Sequence, residues 1–161
     1  MRRVMFSLMF TSAILLSTGA HAIAQSADPW LGTWKLNVAK SKYEPASLTP
    51  KSQTTRQAAS GDTVTATVDG VDAQGKPIHT EITYKFDGKP YEYKGAPDPK
   101  STRTYTRISS STYQFVNKVD GKITTTSRVT VAADGKTRTI VTTGRDAQGQ
   151  AIDNVTSWDK Q

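Results

Sequence analysis

Ile78-His79-Thr80-Glu81-Ile82-Thr83-Tyr84-Lys85-Phe86 alternates two kinds of side chain without a break. Ile78, Thr80, Ile82, Tyr84 and Phe86 fall on one side of an extended chain, and His79, Glu81, Thr83 and Lys85 on the other. Successive strand residues point to opposite faces, so this period of two predicts a strand with one buried and one solvated face. Val64, Ala66 and Val68 repeat the pattern just upstream. Downstream, Tyr113, Phe115 and Val119 form an inner set that includes Asn117, and Ile123, Val129 and Val131 form another that includes Thr125 and Ser127. The interior is therefore expected to be apolar but seeded with hydroxyls.

Turn chemistry punctuates these runs. Asp-Gly-Lys stands at 87–89, 120–122 and 134–136. Asp-Gly is a strong hairpin signal, because Gly takes a positive φ and Asp tolerates one. Asp69-Gly70 predicts a further turn or bulge. Asp-Ala-Gln-Gly, with Asp first and Gly fourth as a type I turn prefers, occurs at 72–75 and 146–149, each time three residues ahead of an Ile. The repetition reads as one hairpin solution used twice, with a half-barrel duplication as the alternative.

Strands are predicted at 33–37, 53–59, 63–69, 78–86, 91–94, 102–109, 113–119, 123–132, 137–144 and 152–158. The stretch 38–52, with Pro45 and Pro50, predicts an irregular crossover that has room for a helical turn, and 95–100, with Pro97 and Pro99, a second stiff loop. A long run of antiparallel strands must close on itself or leave edges open to pairing. The expected fold is therefore all-β, an antiparallel up-and-down β-barrel of about ten strands, with a β-sandwich of the same strands as the alternative.

The chain has 161 residues, no Cys and a formal net charge of +7. Arg2 and Arg3 precede a nearly unbroken apolar stretch from Val4 to Leu16, too short for a bilayer, which takes about 20 residues. Small-x-small sites follow at Ala20-His21-Ala22 and Ala22-Ile23-Ala24. These features predict a secretory signal peptide over 1–24, cut near Ala22 or Ala24, and leave 25–161 as one β-barrel domain. The expected address is periplasmic or extracellular, without a lipid anchor, since a lipoprotein signal needs a Cys. The basic residues are scattered among acids, which argues against nucleic acid as a partner.

Trp30-Leu31-Gly32-Thr33-Trp34-Lys35-Leu36 resembles the opening of the calycin superfamily, which contains lipocalins and fatty-acid-binding proteins. The resemblance implies that Gly32 and Trp34 are structural: Trp34 would close one end of the barrel with a basic residue packed on its ring. The chain beyond residue 24 is also similar to bacterial secreted lipocalin-like proteins with repeated Asp-Gly-Lys turns.

Candidate chemistry is sparse. His79 is the only His beyond the signal, it shares the outer face with Glu81, and a lone His makes no multi-His metal site. Without Cys there is no thiol nucleophile, and no Gly-x-Ser-x-Gly elbow occurs. Most acids belong to turns. These readings predict no metal, no cofactor and no enzymatic activity. Thr102, Thr104, Thr106 and Ile108 alternate with Arg103, Tyr105 and Arg107. Facing inward, the second set would present guanidinium and phenol groups to an anionic head group. Facing outward, both Arg would be solvated, and Ile108 on the opposite set points that way.

The expected function is a binding protein that holds a small, partly apolar ligand in a barrel cavity, an anionic one if Arg103 and Arg107 face inward. Ile82, Tyr84, Phe86, Arg103, Tyr105, Arg107 and Phe115 are the candidate ligand-binding residues. The alternative is an envelope interaction module or inhibitor-like protein with a filled barrel, docking through a patch around Tyr91 and Tyr93. A monomer, not integral to the membrane, is expected in either case.

Overall fold

The computed structural model describes residues 28–146 and 148–161. The signal expected over 1–24, with its cleavage sites, lies outside the described residues. Ten strands follow one another: β1 Gly32–Lys42, β2 Ser52–Ser60, β3 Thr63–Val71, β4 Pro77–Tyr84, β5 Tyr91–Glu92, β6 Ser101–Arg107, β7 Thr112–Val119, β8 Lys122–Val131, β9 Thr137–Arg145 and β10 Ala151–Lys160. They form one antiparallel sheet in the order β4-β3-β2-β1-β10-β9-β8-β7-β6-β5. Consecutive strands are neighbours almost throughout, and the first and last strands pair through Leu36 opposite Trp158. The two outer strands meet at one bridge, where Glu81 and Lys94 exchange backbone hydrogen bonds of 3.2 and 2.9 Å. The result is a nearly closed up-and-down barrel, not two stacked sheets.

The alternation of 78–86 holds in β4. Ile82 and Tyr84 are buried, while His79 and Thr83 are exposed on the outer wall. Across four strands, Trp34, Thr55, Val68 and Thr80 stand opposite one another in register, so their side chains share the inner wall. The Asp-Gly sites at 120–121 and 134–135 are the turns of the β7–β8 and β8–β9 hairpins, and 87–88 is a bend in the loop between β4 and β5; at Asp120 the backbone φ is +51°, the left-handed geometry that a two-residue hairpin needs. Both Asp-Ala-Gln-Gly sites lie at the same end of the barrel. Asp72 N–H donates to Lys76 O and Asp146 N–H to Gln150 O, each at 2.9 Å.

Four expectations are corrected. Strand β1 runs on to Lys42, so the irregular segment begins later than residue 38 and contains only a short 3-10 turn at Ala46–Leu48. Asp69-Gly70 is no turn: both residues lie inside β3, where Asp69 pairs with His79 in the ladder and also accepts from His79 Nδ1 and Arg56 at 2.7 Å. Ile123 is not an inner residue but 66 % exposed. Its ladder partner is Lys118, whereas Asn117 pairs with Thr125, so Thr124 is an extra residue on β8. A bulge of one residue reverses the in/out parity beyond it. Gly144 fits against that bulge with φ +142°, where a Cβ would run into the Thr124 carbonyl. Lastly, Tyr91 and Tyr93 are half-buried against the core rather than displayed as a patch.

One end of the cylinder is sealed from within. Residues 28–31 turn back beneath the barrel, and Trp30 and Trp34 are both fully buried there. Trp34 Nε1 donates to the Trp30 carbonyl at 2.8 Å, and Lys160 Nζ to the Pro29 carbonyl at 3.1 Å. Gly32 begins β1 with φ +106°, a value that side-chain-bearing residues rarely adopt, and this lets the plug swing into the strand.

Candidate ligand cavity

Above the sealed end lies a cavity of about 380 Å³, in the range that holds small organic ligands. Thr55, Gln57, Ala66, Val68, Thr80 and Ile82 form one wall. Tyr105, Tyr113, Phe115, Ile140 and Trp158 form the other, and Gln53, Ile78, Tyr93 and Pro97 lie toward the opposite end. Two guanidinium groups, of Arg103 and Arg138, complete the lining. The lining contains no Asp, Glu or His.

The inward reading of β6 is the one the structure shows. Tyr105 is buried, Arg103 lines the cavity, and Ile108 lies beyond the end of the strand, so its parity assigns it to no face. Arg103 is half-buried. Its Nε donates to Asn117 Oδ1 at 2.6 Å, and Nη1 makes a long contact of 3.4 Å with the Tyr105 hydroxyl. The guanidinium carbon lies 4.6 Å from the Phe115 ring centre and 4.8 Å from that of Tyr93. Asn117 is held in turn, donating to Thr125 Oγ1 at 2.8 Å. The rings and Asn117 therefore fix the Arg103 fork while leaving N–H groups without a protein acceptor.

Of the candidate residues, Ile82, Arg103, Tyr105 and Phe115 meet at the cavity. The other three do not reach it. Tyr84 lies behind the wall, fully buried, with its ring stacked on Tyr105 at 3.5 Å between centres. Phe86 packs edge-on to Trp30 at the sealed end, 5.7 Å between centres. Arg107 is at that end too, where Nη1 and Nη2 form a two-point ion pair with Asp28 at 2.6 and 2.7 Å and the guanidinium covers the Trp30 and Phe86 rings. Arg107 thus pins the plug. Its alternation with Tyr105 identified its face, but its place at the last residue of β6 puts it below the cavity.

Two polar residues that the sequence reading left aside prove central. Arg138 is 2 % exposed and its guanidinium is sandwiched between the Trp34 and Trp158 rings, 4.8 and 4.9 Å from their centres. Its Nη1 donates to Gln57 Oε1 at 2.7 Å, and its Nε–H has no partner. The Gln57 amide nitrogen donates to the hydroxyls of Tyr84 and Tyr113 at 3.1 and 3.2 Å. The signal for both was parity: Arg138 shares a face with Ile140, and Gln57 with Thr55. No carboxylate lies within 4 Å of Arg103 or Arg138 among the described residues.

Burial pushes the Tyr84 and Tyr105 phenols well above the ordinary tyrosine range, and burial lowers the Arg138 guanidinium from 12.5 to about 10. Below pH ~10 the phenols are protonated in both folded and unfolded chains. At higher pH the unfolded chain gives up those protons while the fold retains them, so stability falls as pH rises. Arg138 acts in the opposite sense, because the fold sheds its proton before the unfolded chain does. Burial also pushes the Tyr43 phenol up, to about 12, so three phenols against one guanidinium leave a net loss of stability as pH rises above ~10. Urea unfolding at pH 8, 9.5 and 11 measures this; a midpoint unchanged at pH 11 contradicts it.

No protein-family model matches the sequence, and no curated protein is similar to it. Among solved structures, the chain is similar to a redesigned beta barrel, mFAP1, bound to DFHBI. The alignment covers 82 % of this chain and 95 % of that one, at 14 % identity and a TM-score of 0.42.

Proposed function

We propose that this protein is a calycin-like carrier, exported to the periplasm or beyond, that holds a small, partly apolar anion inside its barrel. The observation that carries the reading is the Arg103 guanidinium, fixed by Asn117 and two aromatic rings at the edge of an apolar cavity with no acid beside it. A cation placed this way favours an incoming carboxylate or similar group through charge-assisted hydrogen bonds. The apolar and aromatic walls supply affinity for the rest of the ligand. The cavity supports carriage over a filled-barrel interaction module. The absence of Asp, Glu and His from the lining supports carriage over acid–base catalysis. Export rests on the leader-like segment 1–24.

Displacement of 1-anilinonaphthalene-8-sulfonate, an apolar anionic probe, tests the proposal. A charge-assisted hydrogen bond is worth about 1.5–3 kcal/mol, so Arg103→Gln is expected to weaken probe binding by ~10- to 150-fold. Arg107→Ala, which removes a cation at the sealed end, is expected to leave probe affinity unchanged. Equal affinity in the wild type and Arg103→Gln overturns the proposal.

A further inference from the structure

Arg103 alone is enough to seat a monoanion, yet Arg138, which packs on the Trp34 ring at the floor, brings a second cation to the same cavity. Arg138 is more deeply buried than Arg103, has no acid beside it, makes one hydrogen bond and leaves its Nε–H unpartnered. The two indole faces around it attract its charge. A ring face, however, offers no lone pair in the guanidinium plane and no negative charge. An apolar side chain of similar volume at this position would fill the same space without the desolvation cost of a buried cation. Arg138 also lines the same cavity as Arg103.

The two cations are set apart. They share no hydrogen-bond partner and no ring: Arg103 has Asn117, Tyr105, Tyr93 and Phe115, and Arg138 has Gln57, Trp34 and Trp158. The ladder row through Arg103 runs across Asn117 and Thr125 to Gly144, six residues beyond Arg138 on β9. Six residues of strand span about 20 Å between backbone rows, so the two side chains enter the lumen from different rows of the wall. Ala66, Val68, Ile82 and Ile140 supply apolar wall in the same cavity. A monoanion would compensate one cation and leave the other buried with its charge unmatched. We infer that the ligand is a dianion with its two acid groups at opposite ends of an apolar body, as in an α,ω-dicarboxylate, one end on Arg103 and the other on Arg138. This inference rests on the carrier reading above.

Calorimetric titration with decanoate, decanedioate and decyl phosphate at pH 7.5 separates the possibilities. Decanedioate is expected to bind about tenfold or more tightly than decanoate, as a second charged contact requires. In Arg138→Gln that preference is expected to vanish, whereas Arg103→Gln weakens both acids. A series of diacids from six to fourteen carbons needs no variant, so it serves even if Arg138→Gln fails to fold. Two fixed cations predict an affinity maximum at one chain length; a single anchor predicts affinity that only rises with length. Equal affinity for decanoate and decanedioate, or a steady rise along the series, overturns the dianion and leaves carriage standing. Tighter binding of decyl phosphate than of decanedioate overturns it too, in favour of one doubly charged head group. Failure of all three ligands and of the sulfonate probe removes the carrier reading itself.

Discussion

Replacing Trp34 with alanine is expected to cost about 3–5 kcal/mol of unfolding free energy, the range for removing a large buried aromatic side chain. The indole is fully buried and closes the floor of the barrel. Its loss leaves the Trp30 carbonyl without its donor, which now stands at 2.8 Å. It also strips one ring face from Arg138 and from Lys160, whose Nζ lies 5.2 Å from the ring centre. The vacated space lies beneath Arg138, which lines the cavity. Urea denaturation measures the effect as a lower midpoint at unchanged slope. A loss below about 1 kcal/mol would mean that the floor is held by the Asp28–Arg107 pair and Trp30 instead.

Gln57→Leu is the second large effect. Leucine has a similar volume and fits the buried site, so the cost is electrostatic rather than steric. Arg138 loses its one hydrogen bond, and the Tyr84 and Tyr113 hydroxyls lose the amide that donates to them. Leaving a buried cation without an acceptor costs about 3–5 kcal/mol in comparable cases, and ~3 kcal/mol is expected here because the two indole faces remain. The sign of the coupling is the sharper test. Adding Arg138→Met to Gln57→Leu removes the stranded charge, so the double variant is expected to be more stable than Gln57→Leu alone. If instead the two losses simply add, Gln57 and Arg138 do not act as a unit.

Much of the architecture was legible because strands announce themselves locally. The alternation of 78–86 identified both faces of β4, and Asp120-Gly121 and Asp134-Gly135 placed the β7–β8 and β8–β9 hairpins, whereas Asp69-Gly70 runs straight through β3. The resemblance around Gly32 and Trp34 implied a floor with a basic residue on the indole; the structure puts Arg138 and Lys160 over that ring. The failures have local causes too. One inserted residue at Thr124 sends Ile123 outward, and no composition signal marks a bulge. Parity put Arg107 on the inner face but did not say how far along the barrel it stands, so it was grouped with Arg103 although it serves the plug.

The sequence alone determined that the chain is a run of antiparallel strands with an inner and an outer side, because side-chain period and turn preference act over a few residues. Only the tertiary structure decided which inner residues face one another across the lumen. Gln57 on β2 and Arg138 on β9 are 81 residues apart, yet they bond at 2.7 Å. Closure of the sheet brings them together, and with them the Tyr84 and Tyr113 hydroxyls. The strand pattern assigns each residue a side; the curvature of the closed sheet assigns its neighbours, and the cavity is made of those neighbours.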